Sequence, residues 1–453
     1  MAVRGLRAGL WAVRPRGTGC AAGLRSDSEP SEPGPQPAGP ATAALYVHWP
    51  YCRKHCSYCS FNKYVVPAVD EAAVRACLVR ETQTLLRLGH VRSVTSVFFG
   101  GGTPSLAAPH TIAAVLEAAA EVAHLPAGAE VTLEANPGSA DPTRLSGFKA
   151  AGVNRLSLGV QSLDDAELRL LGREHTAAEA RAAVEAARKL FPGRTSLDLI
   201  FGLPGQSREA WARNLEAAQG LCDDHLALYQ LTLERGTALE AQVRRGVLPE
   251  PPEELLADLY LSARATLAAA GFHQYEVSNF ARKVSTSTLC PQVRRSPSSP
   301  TTPLSYRAPA APTTSPTGGP SSSWAWGRGH TAASCRGERA AACARHACRR
   351  RILTRGCGRL QEVLALGLRT DEGVTQQRWG FFSPRLSLED AFGAPGEARE
   401  LQERGWLRLN GRALRCTPAG LPLLDSLLPA LLCQLRRRWN AVEEEDGGGR
   451  ASR

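Results

Sequence analysis

Between residues 43 and 282, short apolar segments alternate with longer Ala- and Leu-rich segments of helical pattern. The apolar segments are dense enough in hydrophobic residues to be strands buried on both faces. They are Ala43–His48, Val94–Gly100, Glu130–Ala135, Arg155–Val160, Ser196–Phe201 and Leu226–Leu233. The helical segments between and after them are Glu71–Leu88, Thr111–His124, Ala177–Leu190, Glu209–Leu221 and Pro252–Ala270. Six such repeats predict an α/β fold with a parallel sheet, arranged as an open or partial (β/α)6 barrel over residues 41–282.

The segment from residue 283 to 358 breaks this alternation. Ser, Thr and Pro dominate its first half, and an Arg- and Cys-rich stretch without periodicity follows, a composition that cannot bury a core. From Arg359 the pattern resumes, and residues 359–434 predict a small winged-helix-like domain that contains a helix, two short strands and a final helix. We expect a polar tail over residues 435–453.

Residues 1–40 have the composition of a mitochondrial transit peptide followed by a linker. Five arginines precede the first acidic residue, Asp27, and the stretch from 26 to 40 is rich in Ser, Pro and Gly. The alternative is an unstructured leader without a targeting role. With a location in the mitochondrial matrix, reduced thiols rather than disulfides are expected for the cysteines.

The net charge of +11 suggests nucleic-acid binding, but its distribution argues against that partner. The basic excess is concentrated in the first 25 residues and between Lys283 and Arg359, so the rest of the chain is mildly acidic. We therefore expect no nucleic-acid partner, and keep binding by the winged domain and the basic tract as an alternative. The apolar run Leu421–Leu432 is too short to span a bilayer, so no transmembrane segment is predicted.

A Cys-x3-Cys-x2-Cys loop, formed by Cys52, Cys56 and Cys59, directly follows the first predicted strand. Three thiolates at this spacing can hold three irons of an iron–sulfur cube and leave the fourth iron open to a small chelating molecule. A zinc site is the alternative: structural zinc takes four ligands, and His48 or His55 would have to complete the set.

Glycines and polar residues stand at the ends of the later strands or just beyond them. Phe98–Pro104 carries a Gly triplet, Glu134 and Gln161 lie at the ends of the third and fourth strands, Arg173 lies beyond the fourth, and Asp198 lies on the fifth. Because the carboxyl ends of the strands in a (β/α) barrel meet at one face, we expect these residues to share one site with the Cys loop.

The Cys loop has the spacing that characterises the radical S-adenosylmethionine superfamily. Residues 46–282 resemble one branch of it, which contains oxygen-independent coproporphyrinogen III dehydrogenase and the haem chaperone HemW. The segment Tyr275–Arg282 is specific to this branch. The dehydrogenase has a Cys-x3-Cys-x2-Cys-x-Cys motif. This chain has Phe61 at the position of the last cysteine, so it is more similar to HemW.

This resemblance implies a [4Fe-4S] cluster on Cys52, Cys56 and Cys59, S-adenosylmethionine on the open iron, and haem binding with transfer to haem-accepting proteins. The positions that match S-adenosylmethionine contacts of the branch are Tyr46, Tyr58, Gly101, Gly102, Thr103, Glu134, Gln161, Arg173 and Asp198. The resemblance assigns no catalytic residue with certainty. The alternative function is that of the dehydrogenase, the radical decarboxylation of porphyrinogen propionates, and Phe61 counts against it.

The chain departs from this family after Arg282. The family continues with a His-Asn-x2-Tyr-Trp motif, associated with haem in HemW, and a Gly-x-Gly-Pro-Gly-Ala-His motif, and this chain has neither. Ala325–Thr331, back-translated and read with its codons displaced by one base, can yield Gly-Val-Gly-Pro-Gly-Ala-His. We hypothesise that residues 283–358 are a frame-shifted or mis-spliced translation; the alternative is a disordered insertion. Sequencing the transcript distinguishes the two.

Overall fold

The computed structural model describes residues 42–282 and 357–448, which form an α/β core and a smaller C-terminal domain. The predicted transit peptide and linker (1–40) lie outside the described residues. So does the aberrant segment 283–358, apart from its last two residues, which begin a helix. The predictions made for these two segments therefore stay predictions.

The core is built on one eight-stranded sheet, in the order β1-β2-β3-β4-β5-β6-β8-β7. Its strands are β1 (Thr42–Trp49), β2 (Ser93–Gly101), β3 (Glu130–Ala135), β4 (Arg155–Gln161), β5 (Thr195–Phe201), β6 (His225–Gln230), β7 (Phe272–Glu276) and β8 (Asn279–Arg282). The first six strands pair in parallel and in chain order, and β8 and β7 add to β6 in antiparallel fashion. Among the described strands β1 and β7 are the two edges, so the barrel is open. The predicted α/β partial barrel is confirmed.

The helices of the core follow the strands and cover the sheet. They are α1 (Glu71–Leu88), α2 (Pro109–Val122), α3 (Pro142–Ala150), α4 (Asp165–Leu170), α5 (Ala177–Leu190), α6 (Arg208–Leu221), α7 (Ala238–Arg244) and α8 (Glu253–Ala269). Most start at a side-chain cap; α5, for example, has a full capping box between Thr176 and Glu179. Buried alanines and leucines on their inner faces pack against the strands, and this core fixes the positions of the strand ends.

The hairpin of β7 and β8 was not predicted from the sequence pattern, and it carries the C-terminal domain. Arg369 donates to Glu276 at 2.9 Å, and its carbonyl oxygen accepts from the amide of Val277 at 3.1 Å. The amide of Asp371 donates to the carbonyl oxygen of Tyr275 at 3.1 Å. The branch-specific segment 275–282 is therefore also a structural junction between the two domains.

The C-terminal domain contains five helices and a small antiparallel sheet within the described residues. Its elements are α9 (Cys357–Leu368), β9 (Val374–Thr375), α10 (Gln376–Phe382), α11 (Leu388–Phe392), α12 (Glu397–Glu403), β10 (Leu407–Leu409), β11 (Ala413–Cys416) and α13 (Leu424–Gly448). The sheet order is β10-β11-β9, and the domain has its own hydrophobic core. The predicted helix, two strands and final helix are present as α12, β10, β11 and α13. Within the described part of the chain, no helix combines the length and apolar character that crossing a membrane requires.

The predicted polar tail, residues 435–453, begins in the structure as a continuation of helix α13. Helix α13 runs on to Gly448 instead of ending near residue 434. Leu435 is fully buried, and the Gln434 side chain donates to Ala391 O and accepts from Ala398 N, each at 2.8 Å. The continuation of α13 could not be predicted from its polar sequence, because the few residues of it that pack do so against segments distant in the chain.

Candidate functional site

The carboxyl ends of the parallel strands open into a cleft of about 410 Å³. All predicted site residues except Tyr46 line it, namely Cys52, Cys56, Tyr58, Cys59, Gly101, Gly102, Thr103, Glu134, Gln161, Arg173 and Asp198. The structure thus brings residues from six segments of the chain to one place, as expected for the carboxyl ends of barrel strands.

The Cys loop is held in place by hydrogen bonds at several points. The amide of Cys52 donates to Tyr64 O at 3.0 Å, and the ammonium of Lys63 donates to Cys59 O at 2.8 Å. The hydroxyl of Ser57, between the second and third cysteines, donates to Leu170 O at the end of α4 at 2.7 Å. The loop is therefore fixed to the barrel before any ligand binds.

Two polar side chains contact the thiols. The hydroxyl of Thr103 donates to Cys52 Sγ at 3.3 Å, and Arg173 Nη1 lies 3.5 Å from Cys56 Sγ. Burial raises the pKa of the Cys52 thiol, whereas the Thr103 hydroxyl lowers it. A hydroxyl and a guanidinium are donors that can hydrogen-bond a thiolate, the form that binds iron. The donor set therefore fits an iron–sulfur cluster.

The zinc alternative would need a fourth ligand beside the three thiols. Among the described residues no three His, Cys, Asp or Glu side chains converge as the ligands of a single metal ion would. The thiolates of a cubane cluster need not converge on one point, because each binds a different iron. Nε2 of His48 lies 3.0 Å from the carbonyl oxygen of Asn62, a contact that a metal-binding histidine also makes through its second ring nitrogen.

The Gly triplet forms a close turn after β2. Gly101 has φ +113°, and a Cβ there would lie 2.6 Å from the His48 ring. Its amide donates to Glu134 Oε2 at 3.1 Å, and the amides of Gly102 and Thr103 donate to the carbonyl oxygens of Trp49 and Tyr51. Since these amides are all engaged, the turn suits a ligand that donates hydrogen bonds, such as an ammonium group, better than an anion.

Two half-buried carboxyl groups, Glu134 and Asp198, line the cleft. Burial, together with the neighbouring charge of Asp198, raises the pKa of Glu134 to about 8. Burial also raises the pKa of Asp198 to about 7, although the Ser157 hydroxyl donates to both of its oxygens at 3.0 and 3.1 Å. Near neutral pH the pair is therefore partly protonated, and a cationic ligand would favour its ionised form.

Two buried polar atoms beside the carboxyl groups have no hydrogen-bond partner among the described residues. They are Gln161 Oε1 and Arg173 Nε. Gln161 also has φ +68°, an uncommon backbone conformation for a residue with a side chain. Arg173 is otherwise well held, since Nη2 donates to Gly159 O at 2.7 Å. Unpaired buried polar atoms are rare in native proteins, so these two are candidates for ligand contacts.

Tyr46, the remaining predicted contact, lies beneath the cleft rather than in its lining. Its hydroxyl would be 2.8 Å from a Cβ at Gly100, and its ring stacks on Phe98 with centroids 6.0 Å apart. Burial, and next the charge of Glu134, raises the pKa of its hydroxyl. Its predicted role toward a ligand, like those of the lining residues, stays a prediction.

The sequence patterns did not single out other residues that line the cleft. Ser157, which binds Asp198, and Tyr229, the penultimate residue of β6, are the most relevant. Tyr229 could have been predicted from the sequence. It is a polar aromatic residue in Leu226–Leu233, the only predicted strand that contributed no site residue.

Comparisons with known proteins agree with this fold. The family model of the radical SAM superfamily matches residues 46–218, and that of the HemN C-terminal domain matches residues 358–423. The chain is 53% identical over 414 residues to the mitochondrial radical S-adenosyl methionine domain-containing protein 1 of Bos taurus, covering 90% of this chain and 91% of the relative. It is 38% identical over 255 residues to the heme chaperone HemW of Mycobacterium tuberculosis, covering 55% of this chain and 65% of the relative.

Among solved structures, coproporphyrinogen III oxidase (HemN) from Escherichia coli, described as a radical SAM enzyme, has a similar fold. The two align with a TM-score of 0.62 at 22% identity, over 87% of this chain and 90% of the other. At this identity the likeness concerns the fold alone. The chain belongs to the radical SAM superfamily, in the HemW-like group that includes the radical S-adenosyl methionine domain-containing protein 1 relatives.

Proposed function

We propose that this protein is a haem chaperone of the mitochondrial matrix. It carries a [4Fe-4S] cluster on Cys52, Cys56 and Cys59, binds S-adenosylmethionine in the cleft, and delivers haem to haem proteins. The observation that carries the proposal is that three thiols and several unpaired or partly protonated polar groups line the same cleft. The similarity to proteins named heme chaperone HemW supports the haem part of it.

The chain's own residues prepare the site for a cationic ligand. Thr103 and Arg173 place hydrogen-bond donors beside the sulfur atoms of Cys52 and Cys56. When bound, a reduced cluster of this kind supplies one electron to S-adenosylmethionine. Asp198 and Glu134 lie where a positive sulfonium or ammonium group would stabilise their ionised forms.

The alternative function is coproporphyrinogen III dehydrogenase, and the HemN-like fold with its C-terminal domain is the observation in its favour. Phe61 argues against it. The resemblance gives the dehydrogenase a fourth cysteine at this position, whereas here an aromatic ring, 57% exposed, lines the mouth of the cleft. The chaperone is therefore the better supported function.

Location in mitochondria is supported by two independent observations. The relatives from Bos taurus, Mus musculus and Danio rerio carry the word mitochondrial in their names. The first 25 residues of this chain contain five arginines and no acidic residue, which is typical of a matrix transit peptide.

Haem titration of the full-length, anaerobically reconstituted protein, in a version whose 283–358 segment is restored to the family's pattern, tests the proposal. We expect a Soret band that saturates with haem and persists in the triple variant Cys52→Ser/Cys56→Ser/Cys59→Ser, because haem does not require the cluster thiols. The matched control is Cys433→Ser, which changes an exposed cysteine far from the cleft. Adding apomyoglobin to the haem-loaded protein should then transfer haem.

Two results would contradict the proposal. One is the absence of any saturable Soret band with a version of the protein whose 283–358 segment is restored to the family's pattern. The other is conversion of coproporphyrinogen III to a decarboxylated product under anaerobic reduction with S-adenosylmethionine, which would favour the dehydrogenase.

A further inference from the structure

Strand β4 ends in a strained turn that carries Gln161. The amide of Ser162 donates to Val160 O at 2.9 Å, so the three residues form a γ-turn with Gln161 at its centre. The φ of +68° at Gln161 gives this turn its rare, strained form. Such a conformation persists only where neighbouring groups hold it. The turn places Gln161, whose Oε1 has no partner among the described residues, in the lining of the cleft.

The residues that follow Gln161 are held by the side chains of Glu167 and Asn214. The Ser162 hydroxyl donates to Glu167 Oε2 at 2.5 Å and accepts from Asn214 Nδ2 at 2.7 Å. Asn214 Nδ2 also lies 2.8 Å from Glu167 Oε2, and Asn214 Oδ1 accepts from the amide of Leu163 at 2.8 Å. Ser162 and Asn214 are buried, so these bonds are shielded from competition with water.

The second oxygen of Glu167 is bound from the turn after β5. Gln206 Nε2 donates to Glu167 Oε1 at 2.9 Å. Gln206 Oε1 accepts in turn from the backbone amides of Gly202 and Leu203, at 2.7 and 3.3 Å. Glu167 therefore joins the turn after β4 to the turn after β5.

This network requires a carboxylate at position 167. The backbone amides that donate to Gln206 Oε1 and Asn214 Oδ1 fix the orientation of both side-chain amides, so each turns its NH2 group toward Glu167. Glu167 must therefore accept on both oxygens. A glutamine at this position would accept on one side and place an NH2 group against another donor on the other side.

We propose that Glu167 is a positioning residue that holds the strained γ-turn and thereby keeps Gln161 Oε1 in place as an acceptor for the ligand of the cleft. Glu167 is not among the residues that line the cleft, so it acts through the turn rather than by contact. The inference rests on the proposed function for the nature of the ligand, S-adenosylmethionine, whose ammonium, hydroxyl and amino groups can donate to this oxygen.

Hydrogen exchange of the full-length protein, resolved to single amides by mass spectrometry, tests the hold on the turn without any ligand. Glu167→Gln should raise the exchange rates of the Ser162 and Leu163 amides about tenfold, because the side chains that hold them lose a partner. Adding Gln206→Glu should restore both rates to within about twofold, since the glutamine at 167 then donates to the carboxylate at 206.

The matched control is Glu130→Gln, the same chemical change at the amino ends of the strands. Glu130 is also buried and accepts from the Thr132 hydroxyl at 3.2 Å. Because Glu130 lies at the other end of the sheet, we expect the exchange rates of the Ser162 and Leu163 amides to change less than about twofold. The control thus separates the loss of the turn's support from the loss of a buried carboxylate in general.

A double-mutant cycle on ligand affinity tests whether Glu167 acts through Gln161. Glu167→Gln should weaken S-adenosylmethionine binding about tenfold in the native sequence. In a Gln161→Ala background it should weaken binding by less than about twofold, because the acceptor being positioned is already gone. Helix α4, which carries Glu167, also binds the Cys loop, through Leu170 O and the Ser57 hydroxyl. An effect transmitted by that route would persist in the Gln161→Ala background.

Two results would overturn the inference. One is unchanged exchange of the Ser162 and Leu163 amides in Glu167→Gln, and the other is an equal loss of affinity with and without the Gln161 side chain. A failure of the proposed function has a different signature. In that case the starting protein does not bind S-adenosylmethionine, while the exchange rates, which need no ligand, still decide whether Glu167 holds the turn.

Discussion

The charged groups at the two ends of the parallel strands differ in how they are paired. At the amino ends the charges are paired: Glu130 lies 4.0 Å from Arg155, and Asp223 accepts from Arg188 and from the Thr195 hydroxyl, each at 2.7 Å. At the carboxyl ends Gln161 Oε1 and Arg173 Nε lack partners, and two carboxyl groups are partly protonated.

This difference separates polar residues that hold the fold from those that await a ligand. A buried polar group with its partners in place is neutral or favourable for stability, whereas one without them costs free energy. Proteins keep such unpaired groups where a bound ligand supplies the missing partner. Variants at the amino ends should therefore lower stability and leave binding intact, whereas variants at the carboxyl ends should change binding and keep or raise the stability of the unliganded protein.

The largest expected effect on stability is at Asp223. Its side chain, 11% exposed, accepts hydrogen bonds from Arg188, Thr195 and the amide of Gly193. Asp223→Ala leaves these donors unpaired and should lower the free energy of unfolding by about 3 kcal/mol, measured by urea titration. The affinity for S-adenosylmethionine should change less than about twofold, since the variant lies at the opposite end of the strands.

The neighbouring Asp224 provides the control for this prediction. Its carboxylate lies 4.0 Å from Arg282, and both side chains are more than one third exposed. Asp224→Ala should therefore cost less than about 0.5 kcal/mol. If the two variants are equally stable, or if Asp223→Ala abolishes ligand binding, the contrast between the two strand ends does not hold.

A smaller effect is expected from pH on the unliganded protein. The pKa values of Glu134 and Asp198 in the folded chain, about 8 and about 7, lie above those of unfolded carboxyl groups. The folded state therefore keeps protons that the unfolded state has released, so the free energy of unfolding falls as pH rises from about 4 to these values. Each group contributes a slope of up to about 1.4 kcal/mol per pH unit.

Urea titrations at several pH values between 5 and 8 measure this slope. Asp198→Asn, which fixes a neutral group at this position, should reduce it and stabilise the protein at pH 8. A slope that is the same in the variant and in the native sequence would mean that Asp198 is already ionised in the unliganded cleft.

The fold of the core and the position of the cleft could be predicted from the sequence, because both follow from local patterns. The alternation of apolar strands and helices gave β1 to β6, and the cysteine spacing gave the loop after β1. Parallel strands necessarily bring their carboxyl ends together, so residues as distant as Cys52 and Asp198 could be assigned to one cleft.

The remaining features depend on contacts between distant segments. The β7–β8 hairpin is made of strands of five and four residues and is held by β6 and Arg369. The polar start of the predicted tail is helical because Gln434 binds α11 and α12. The charge states of Glu134 and Asp198 arise from burial, which a sequence pattern does not give.

Anaerobic reconstitution with iron and sulfide tests the central claim most directly. The account predicts about four irons and four sulfides per chain. It also predicts that the electron paramagnetic resonance spectrum of the reduced cluster changes when S-adenosylmethionine is added. Cys433→Ser should keep both properties, and the triple variant of Cys52, Cys56 and Cys59 should lose them. A protein that takes up a single zinc ion, or a cluster whose resonance ignores S-adenosylmethionine, would contradict it.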